Sequence, residues 1–432
     1  MERGSNMDTK WMIEHQSRLD QNLHSYLLDR LLKLKYIPFV LMQSLLKRMK
    51  VSVLIQWDES RSNQFTTIHN PLTQQGFPVK KYIRSIHTFS LPLSIASLQQ
   101  LLSIRDIKKI YLDRKVKVCL DVATPTTQSP QIWSKGNEGN GVTIAIVDTG
   151  IAPHPDINSR LIAFHDIINQ KSNPYDDNGH GTHCAGCAAG DGNQSNGKYK
   201  GPAPKASLVG VKVLGKSGEG NLSNVIAGID WCIEHQKQYN IRVISLSLGS
   251  ETKDSYKDDP VCQVVQKAWD KGIVVVAAAG NSGPHEKTIA SPGITPDIIT
   301  VGATDSKRTL SREDDHVASF SSRGPTPDGM IKPDIVAPGT DIISLRSKGS
   351  YLDLFMFRNR VGSDYFKLSG TSMATPIVAG ITALLLSEYP NLSPNEIKNL
   401  LLNNTFPLQN ESETAQGKGL VDAIKAYSNS GQ

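Results

Sequence analysis

The chain has 432 residues, of which 38% are hydrophobic and 20% charged, a composition typical of soluble globular proteins. It contains no internal repeat or low-complexity tract, which excludes fibrous and disordered classes, and its length predicts two or three domains. The net charge of +6 is uneven, since residues 1–118 contain 19 Lys and Arg against 9 Asp and Glu, whereas the remainder is net acidic. This asymmetry favours docking of the two regions on each other and leaves a nucleic-acid or membrane-surface partner open.

The five cysteines are an odd number without disulfide-framework spacing, and we expect them to be reduced. Residues 1–8 lack the basic and then apolar pattern of a secretory signal. The best later apolar run, 37–42, is too short to cross a membrane. The sequence therefore predicts a cytoplasmic protein without a membrane span.

The first 130 residues are predicted to form three parts. Residues 1–50 place Leu23 and Leu27 at helical spacing, which predicts a helical N-terminal extension. Residues 51–118 have patterns of strand, strand, helix and strand, which predict a small α+β domain. Residues 119–130 have the Thr, Ser and Pro content of a linker.

Residues 131–432 alternate apolar strand patterns with helical stretches. Strands are predicted near 142–147, 208–213, 241–246, 272–277 and 297–301. Because parallel strands joined by helices are covered on both faces, this pattern predicts an α/β domain with a doubly wound, mainly parallel sheet. The segment 343–366 is longer than such a core needs and is rich in Arg and aromatic residues.

A serine stands where the last long apolar helix is predicted to begin. Ser372 lies in Ser-Gly-Thr-Ser-Met-Ala-Thr-Pro, directly before the apolar run 377–386, and Pro376 is tolerated near the first turn of a helix. The hydroxyl is then at the positive end of the helix, which suits a nucleophile whose attack creates negative charge. A serine also needs a base to remove its proton, so this segment predicts a histidine elsewhere in the site.

His180 and Asp148 have the surroundings expected of that base and of its partner. Two glycines flank His180, which predicts an imidazole on a close-packed turn that opens a helix. Asp148 ends an apolar strand pattern, and the carboxyl ends of parallel strands are where such folds build their sites. Taken alone, Asp148, His180 and Ser372 are each typical of a turn residue or a helix cap. Together they match a Ser-His-Asp triad in one of its three known chain orders.

Three segments carry a resemblance to a known family. Asp-Thr-Gly at 148–150, His-Gly-Thr-His-Cys-Ala-Gly at 180–186 and Gly-Thr-Ser-Met-Ala-Thr-Pro at 370–376 resemble the signatures of subtilisin-like serine proteases, the subtilases. The resemblance covers roughly residues 131–428. It implies a serine endopeptidase that hydrolyses extended polypeptides through an acyl-enzyme on Ser372, without a cofactor for catalysis.

The same resemblance implies a self-processing precursor. The pattern of residues 51–118 is similar to the ferredoxin-like propeptide that precedes subtilases, folds with the protease and blocks its site. Self-cleavage is then expected within the linker 119–130.

The resemblance also implies roles around the nucleophile. Asn281 is implied to donate to the oxyanion beside the backbone N–H of Ser372. The substrate is implied to pair as a strand with two segments and to place one side chain over Ala290, in an open apolar pocket. The substrate-binding residues are Gly218, Glu219 and Gly220 in one segment and Ser247, Leu248 and Gly249 in the other. Glu219, at the rim, adds a preference for basic residues.

Structural calcium is common in this family, and Asp156 and Asp191 are the candidate ligands, although solvated turns explain both equally well. Cys184 is implied to pack beneath the catalytic histidine, while His183 is implied to be a structural hydrogen-bond partner. No second cysteine pair accompanies Cys184 and Cys187, which argues against zinc. No nucleic-acid partner is expected.

Two functions of other classes are alternatives to a serine protease: nucleotide binding, and peptide binding without catalysis. Residues 210–217 satisfy the phosphate-loop pattern, with Lys216 as the phosphate-binding residue, but the intervening Val-Lys-Val-Leu alternates like a strand. A non-catalytic relative would keep the peptide groove and lack turnover. Aspartic protease chemistry needs a second Asp-Thr-Gly or Asp-Ser-Gly, which this chain does not contain.

Overall fold

The computed structural model describes residues 10–33, 45–58, 72, 77, 79, 81–83, 86–102, 104–113, 115–118, 124–307 and 309–429. The chain divides into two compact units, Met1–Arg114 and Lys115–Gln432.

The N-terminal unit contains a four-stranded sheet with the order β2-β3-β1-β4, in which all neighbouring strands are antiparallel. The connection from β3 to β4 contains a helix and passes over β1, which is a split β-α-β arrangement. This agrees with the predicted ferredoxin-like region, whose first crossover lies largely outside the described residues. The strands are Lys50–Trp57 (β1), Lys81–Ile83 (β2), Thr88–Ser94 (β3) and Ile107–Leu112 (β4), and the helices are Lys10–Glu14 (α1), Gln21–Lys33 (α2) and Ile95–Leu101 (α3).

The predicted helical extension and the sheet of this unit share one core. Leu23 and Leu27 of α2 are fully buried in the same apolar cluster as Val53 of β1 and Leu91 of β3. Helices of this length gain most of their stability from such packing. The helical extension and the strands that follow it up to Leu112 therefore share a common core within the described part of this unit.

The C-terminal unit is built on a ten-stranded sheet with the order β19-β20-β15-β13-β12-β10-β6-β8-β7, to which β14 pairs at β13. The pairs from β15 to β7 are parallel, and helices cover both faces. The strands are Lys115–Val118 (β5), Thr143–Asp148 (β6), Leu161–Asp166 (β7), Ser207–Lys212 (β8), Glu219–Asn221 (β9), Ile241–Leu246 (β10), Leu248–Gly249 (β11), Val274–Ala278 (β12), Ile299–Asp305 (β13), His316–Val317 (β14), Ile335–Pro338 (β15), Ile342–Leu345 (β16), Arg360–Val361 (β17), Tyr365–Leu368 (β18), Thr405–Phe406 (β19) and Leu420–Val421 (β20). The helices are Ser129–Trp133 (α4), His180–Ala189 (α5), Leu222–Glu234 (α6), Gln236–Tyr239 (α7), Pro260–Asp270 (α8), Tyr351–Phe355 (α9), Thr371–Glu388 (α10), Pro394–Asn403 (α11), Glu413–Gln416 (α12) and Ala423–Asn429 (α13).

The doubly wound architecture predicted for this unit is confirmed. The five predicted strands correspond to β6, β8, β10, β12 and β13. Strands β6 and β12 are buried at every residue, as expected for central parallel strands covered on both sides. Helix α10 has the length and composition of a membrane span, but 89% of its 18-residue apolar stretch is buried in this fold. It is the central core helix, and its first turn carries Ser372.

Two small sheets lie outside the main one. Strand β5 pairs antiparallel with both β9 and β11, so it is the middle strand of three. Strands β16, β18 and β17 form the other sheet, and the chain between β16 and β18, residues 346–364, is called the insert below. The insert contains α9 and the short strand β17.

Candidate active site

The carboxylate of Asp148 and the imidazole of His180 form a buried hydrogen bond. Asp148 ends β6 and His180 begins α5, and Nδ1 of His180 lies 2.7 Å from Oδ1 of Asp148. Both side chains are fully buried. Gly181 permits this approach, because a Cβ there would lie 2.1 Å from the carbonyl oxygen of Gly150 and 3.1 Å from Cβ of Asp148. The two residues predicted to be the acid and the base are therefore brought together.

The turn before His180 is held by a second buried carboxylate, Asp176. Its Oδ1 accepts hydrogen bonds from the backbone N–H of Asn178 and Gly179, and its Oδ2 accepts from both the N–H and the hydroxyl of Thr182. The hydroxyl of Thr149 also donates to Oδ1, which ties this turn to the end of β6. Asp176 thus holds the backbone both before His180, at residues 178 and 179, and after it, at residue 182.

Cys184 links the imidazole to the segment that carries the nucleophile. Its Sγ lies 3.7 Å from Nδ1 and 3.9 Å from Nε2 of His180, and it donates to the carbonyl oxygen of Ser372 at 3.6 Å. The hydroxyl of Ser247 donates to the same carbonyl oxygen at 2.5 Å. Ser372 is 2% exposed. The three triad residues therefore converge around one buried thiol, in agreement with the predicted position of Cys184.

The protonation states follow from burial and from the Asp148 charge. Burial lowers the pKa of His180, but the Asp148 carboxylate outweighs burial and raises that pKa above its usual value. Burial raises the pKa of Cys184 to about 12, which keeps this thiol protonated. Ligand atoms of Asp148, His180 and Cys184 lie within 4.8 Å of one another, a spacing that also suits a metal. Oδ1 of Asp148 and Nδ1 of His180 are joined to each other by a hydrogen bond, which is the arrangement of an acid and a base in a triad.

His183 is a structural residue within the same helix. Burial lowers its pKa to about 3, so the imidazole is neutral, and its Nε2 lies 3.1 Å from the carbonyl oxygen of Phe366 in β18. The hydroxyl of Ser344 in β16 donates to the carbonyl oxygen of His183 at 2.8 Å. These contacts attach α5 to the sheet from which the insert emerges.

Asn281 lies beside the start of α10. Its Oδ1 accepts from the backbone N–H of Thr371 at 2.9 Å. This contact fixes the orientation of the side-chain amide next to Ser372 and leaves its NH₂ as the end that can donate to an oxyanion. The residue is therefore located as the sequence predicted.

The two predicted substrate-binding segments are the strands that flank β5. Gly220 pairs with Val116 of β5, Glu219 with Lys117, and Leu248 with Val118. Gly218 precedes β9 at a positive φ of 78°, and Ser247 directly precedes β11. A peptide strand between these segments therefore has backbone partners on both sides.

Ala290 lies among small residues next to this cleft. A Cβ built on Gly249 or on Gly280 would come within 3.0 Å of the Ala290 Cβ. The three residues therefore form one narrow contact of small side chains, and Asn281 follows Gly280 directly. Ala290 therefore lies near Asn281, and its place on the floor of an open pocket stays a prediction.

The calcium candidates do not fit a cation site. The two carboxylate oxygens of Asp156 accept from the Gln194 N–H at 2.9 Å and from the Tyr365 hydroxyl at 2.7 Å. Asp191 accepts from the Asn193 N–H and lies 3.8 Å from the Arg160 guanidinium. A calcium site gathers six to eight oxygen ligands, whereas Asp156 has a donor on each carboxylate oxygen and Asp191 lies beside a cationic side chain. These residues hold a loop by hydrogen bonds instead.

Sequence reasoning missed two residues that shape the site. Asp176 was not predicted, although it stands two residues before the Asn-Gly pair at 178–179. An Asp at this distance before Asn-Gly is a known turn signal. Lys212, at the end of β8, is fully buried and its ammonium donates to the carbonyl oxygens of Thr149 and Leu214 and to the carboxylate of Asp177. Nothing in its strand pattern distinguishes it from a lysine at a solvated strand end.

The phosphate-loop alternative gains no support. Residues 210–212 belong to β8, and the next helix, α6, begins only at Leu222, after β9. A phosphate loop needs a helix whose N-terminus directly follows Lys216.

Comparison with known proteins agrees with this geometry. The model of the subtilase family matches residues 139–423. The chain is 46% identical over 420 residues to serine protease AprX of Bacillus subtilis (strain 168), covering 94% of this chain and 95% of that protein. It is 39% identical over 300 residues to thermitase of Thermoactinomyces vulgaris, covering 69% and 92%, and 35% identical over 356 residues to M-protease of Shouchella clausii (strain KSM-K16), covering 80% and 82%. The chain belongs to the subtilase family and is a serine-type endopeptidase that needs no cofactor for catalysis.

Proposed function

We propose that the protein cleaves peptide bonds within extended polypeptides through an acyl-enzyme on Ser372. His180 takes the hydroxyl proton of Ser372 and gives it to the leaving amine, while Asp148 holds the imidazole and stabilises its charged form. Asn281 and the backbone N–H of Ser372 donate to the oxyanion, and water then hydrolyses the acyl-enzyme. The observation that carries this assignment is the buried Asp148–His180 hydrogen bond of 2.7 Å beside a thiol that contacts Ser372.

Covalent labelling tests the assignment. Phenylmethylsulfonyl fluoride should modify Ser372, as read by peptide mass spectrometry, and activity should fall in proportion to labelling. The matched control is Ser372→Ala, which should remain unlabelled. A non-catalytic peptide-binding relative would bind peptides without labelling or turnover, and that result would overturn the proposal.

The cleft favours an apolar side chain before the scissile bond. Ala290, Gly249 and Gly280 contribute almost no bulk to this part of the site, and Ala290 is 6% exposed. Glu219 at the rim of β9 adds a secondary preference for basic residues. Cleavage of a peptide library tests this, and Ala290→Phe should narrow the preference to small residues, whereas an unchanged profile would contradict the assignment.

The protein is made as a precursor that processes itself. Strand β5, which directly follows the N-terminal unit in sequence, pairs with both substrate-binding segments, as a bound substrate would. Val118 pairs with Leu248, and the hydroxyl of Ser247, the residue directly before Leu248, donates to the carbonyl oxygen of Ser372. The proposed cleavage is therefore at the bond between Cys119 and Leu120.

The N-terminus of the purified active enzyme tests this bond. We expect a mature chain that begins at Leu120, and we expect Ser372→Ala to remain uncut under the same conditions. Full activity of a chain that still begins at Met1, or the same cleavage in Ser372→Ala, would overturn self-processing.

The enzyme is proposed to work in the cytoplasm on polypeptide substrates. The four described cysteines are buried, and the five cysteines of the sequence lack disulfide-framework spacing, which suits a reducing compartment. Fractionation of the producing cells tests this, and recovery of the activity mainly outside the cells would contradict it.

A further inference from the structure

The insert presents a cluster of exposed apolar side chains. Leu354, Phe355 and Phe357 are 55%, 70% and 57% exposed, and the ring of Tyr351 lies 4.5 Å from that of Phe355. Of the eight large hydrophobic side chains exposed in the described residues, these three fall within four positions, whereas the other five are scattered. Single exposed apolar residues are ordinary, but a cluster marks a binding surface. We call Tyr351, Leu354, Phe355 and Phe357 the aromatic face.

The aromatic face is held rigidly from below by Asp353, which is 3% exposed. The guanidinium of Arg346 donates to both carboxylate oxygens of Asp353 at 2.6 and 3.0 Å, and that of Arg360 donates to one of them at 2.7 Å. The backbone N–H of Gly349 donates at 2.9 Å, and the hydroxyl of Ser350 caps α9. Two guanidinium groups and a backbone N–H therefore fix the buried Asp353 carboxylate and the helix that carries it, so the rings of the aromatic face are preorganised for contact.

The insert is attached directly to the turn that carries the catalytic base. The backbone N–H groups of Tyr351 and Leu352 donate to the carbonyl oxygens of Asp177 and Asn178, each at 2.9 Å. Gly179 has a φ of 106°, and a Cβ there would lie 2.6 Å from Oγ of Ser350. The contact between the start of α9 and the turn before His180 therefore leaves no space for a larger residue at position 179, and the insert lies beside that turn.

The direction of the substrate follows from the proposed mechanism. The part of the substrate before the scissile bond pairs between β9 and β11, as β5 does. The part after the bond begins with the amine that His180 protonates, so it must leave past His180. This is the side on which the insert lies.

We propose that the aromatic face binds apolar side chains of the leaving segment, the residues that follow the scissile bond, and thereby sets specificity on that side. The occupant is the same extended polypeptide that fills the cleft, because the insert that carries the face is hydrogen-bonded to the turn before His180. This inference rests on the proposed roles of His180 and Ser372.

Matched substrates test the inference. Three substrates share the same residues before the scissile bond. Two are quenched fluorescent peptides that have Phe-Leu or Ser-Gly at the second and third positions after the scissile bond. The third is an anilide, which has no residues after that bond. The wild-type enzyme should prefer the Phe-Leu peptide over the Ser-Gly peptide. In the double variant Phe355→Ser with Phe357→Ser, the ratio of kcat/KM between the Phe-Leu peptide and the anilide should fall about tenfold, the effect of burying roughly half a phenylalanine side chain.

Ile331→Ser is the control, since Ile331 is 50% exposed elsewhere on the same unit, and it should leave this ratio at its wild-type value. An unaltered ratio in the double variant would overturn the inference, as would equal losses on all three substrates. A change of oligomeric state on a sizing column, without a change in the ratio, would show that the face joins two copies instead. Failure of the proposed function itself would be distinct, because the anilide would then not be hydrolysed by the wild-type enzyme.

Discussion

Two buried carboxylates, Asp148 at the end of β6 and Asp353 in the insert, differ in how they are satisfied. Asp353 accepts from Arg346, Arg360 and Gly349, and both of its oxygens are used. Asp148 accepts from the Thr149 N–H and from His180 on Oδ1 only, and within the described residues its buried Oδ2 has no hydrogen-bond partner. Because buried polar groups are normally satisfied, an exception of this kind is typical of a functional site.

The difference between the two regions is also electrostatic. Burial raises the pKa of Asp353, but the hydrogen bonds from Arg346, Gly349 and Arg360 outweigh burial and lower it below its usual value. The charge of Asp148 instead acts on its neighbour and raises the pKa of His180. Changes at Asp148 should therefore alter the reaction, whereas changes at Asp353 should alter stability.

The largest effect is expected at the nucleophile. Ser372→Ala should lower kcat about 10⁶-fold, a magnitude measured in subtilisin, which is a member of this family. Its precursor should remain uncut, while the free energy of unfolding changes little. Hydrolysis of a peptide anilide measures the first effect, intact mass the second and urea unfolding the third. Residual activity within 100-fold of wild type would mean that another residue is the nucleophile.

The next largest effect is expected for Asp148→Asn, which tests whether the charge of Asp148 controls the pKa of His180. We expect kcat to fall about 10⁴-fold, because an amide holds the wrong tautomer of the imidazole. Catalysis needs neutral His180, so wild-type kcat/KM should rise with pH through the raised pKa of this residue. Without the carboxylate that pKa falls, and the midpoint of the profile should move to lower pH. An unmoved midpoint would show that Asp148 does not control His180.

Asn281→Ala removes one oxyanion donor and should lower kcat about 10²–10³-fold, again a range from subtilisin. KM should change little, because the donor acts mainly on the transition state. Initial rates over a range of peptide concentrations separate the two constants. A rise in KM with unchanged kcat would make Asn281 a substrate-binding residue.

Local patterns could predict the triad because each member lies at the end of one regular element. Asp148 follows a continuous apolar strand, and Ser372 precedes a continuous apolar helix, so the chain itself indicates where these side chains lie. The parallel sheet then brings the strand ends to one edge. The roles of Asn281 and of the two segments that flank β5 were instead implied by the family resemblance.

Other features depend on contacts that no local pattern encodes. The hydrogen bond between Tyr365 and Asp156 joins residues 209 positions apart, so the sequence suggested calcium where a hydroxyl stands. In the insert, Arg346 and Arg360 reach Asp353 only after the chain folds back between β16 and β18. The charges were visible in the sequence, but their common partner was not.

Asp353→Asn tests the structural half of the comparison. It should lower the free energy of unfolding at pH 7 by about 1–3 kcal/mol, because the guanidinium donors of Arg346 and Arg360 lose a charged acceptor that is itself buried. The native pKa of Asp353 is lowered, so its stabilisation is present above the unfolded pKa of about 4 and is lost as pH falls through the native value. The difference between variant and wild type should therefore shrink in acid.

Asp364→Asn is the matched control in the same insert. Asp364 pairs with Lys348, whose side chain is 59% exposed, and such pairs contribute about 0–1 kcal/mol. Urea unfolding at pH 7 and in acid measures both variants. Equal effects at pH 7 would contradict the role assigned to Asp353.

The smallest effect is expected at Tyr365, far from the reaction. Tyr365→Phe removes the hydroxyl that donates to Oδ2 of buried Asp156, and should lower the free energy of unfolding by about 1 kcal/mol. Because Asp156 is satisfied by donors, a calcium chelator should not lower the melting temperature through this residue, in wild type or in Asp156→Asn. A chelator-induced loss that Asp156→Asn abolishes would mean that a cation binds there.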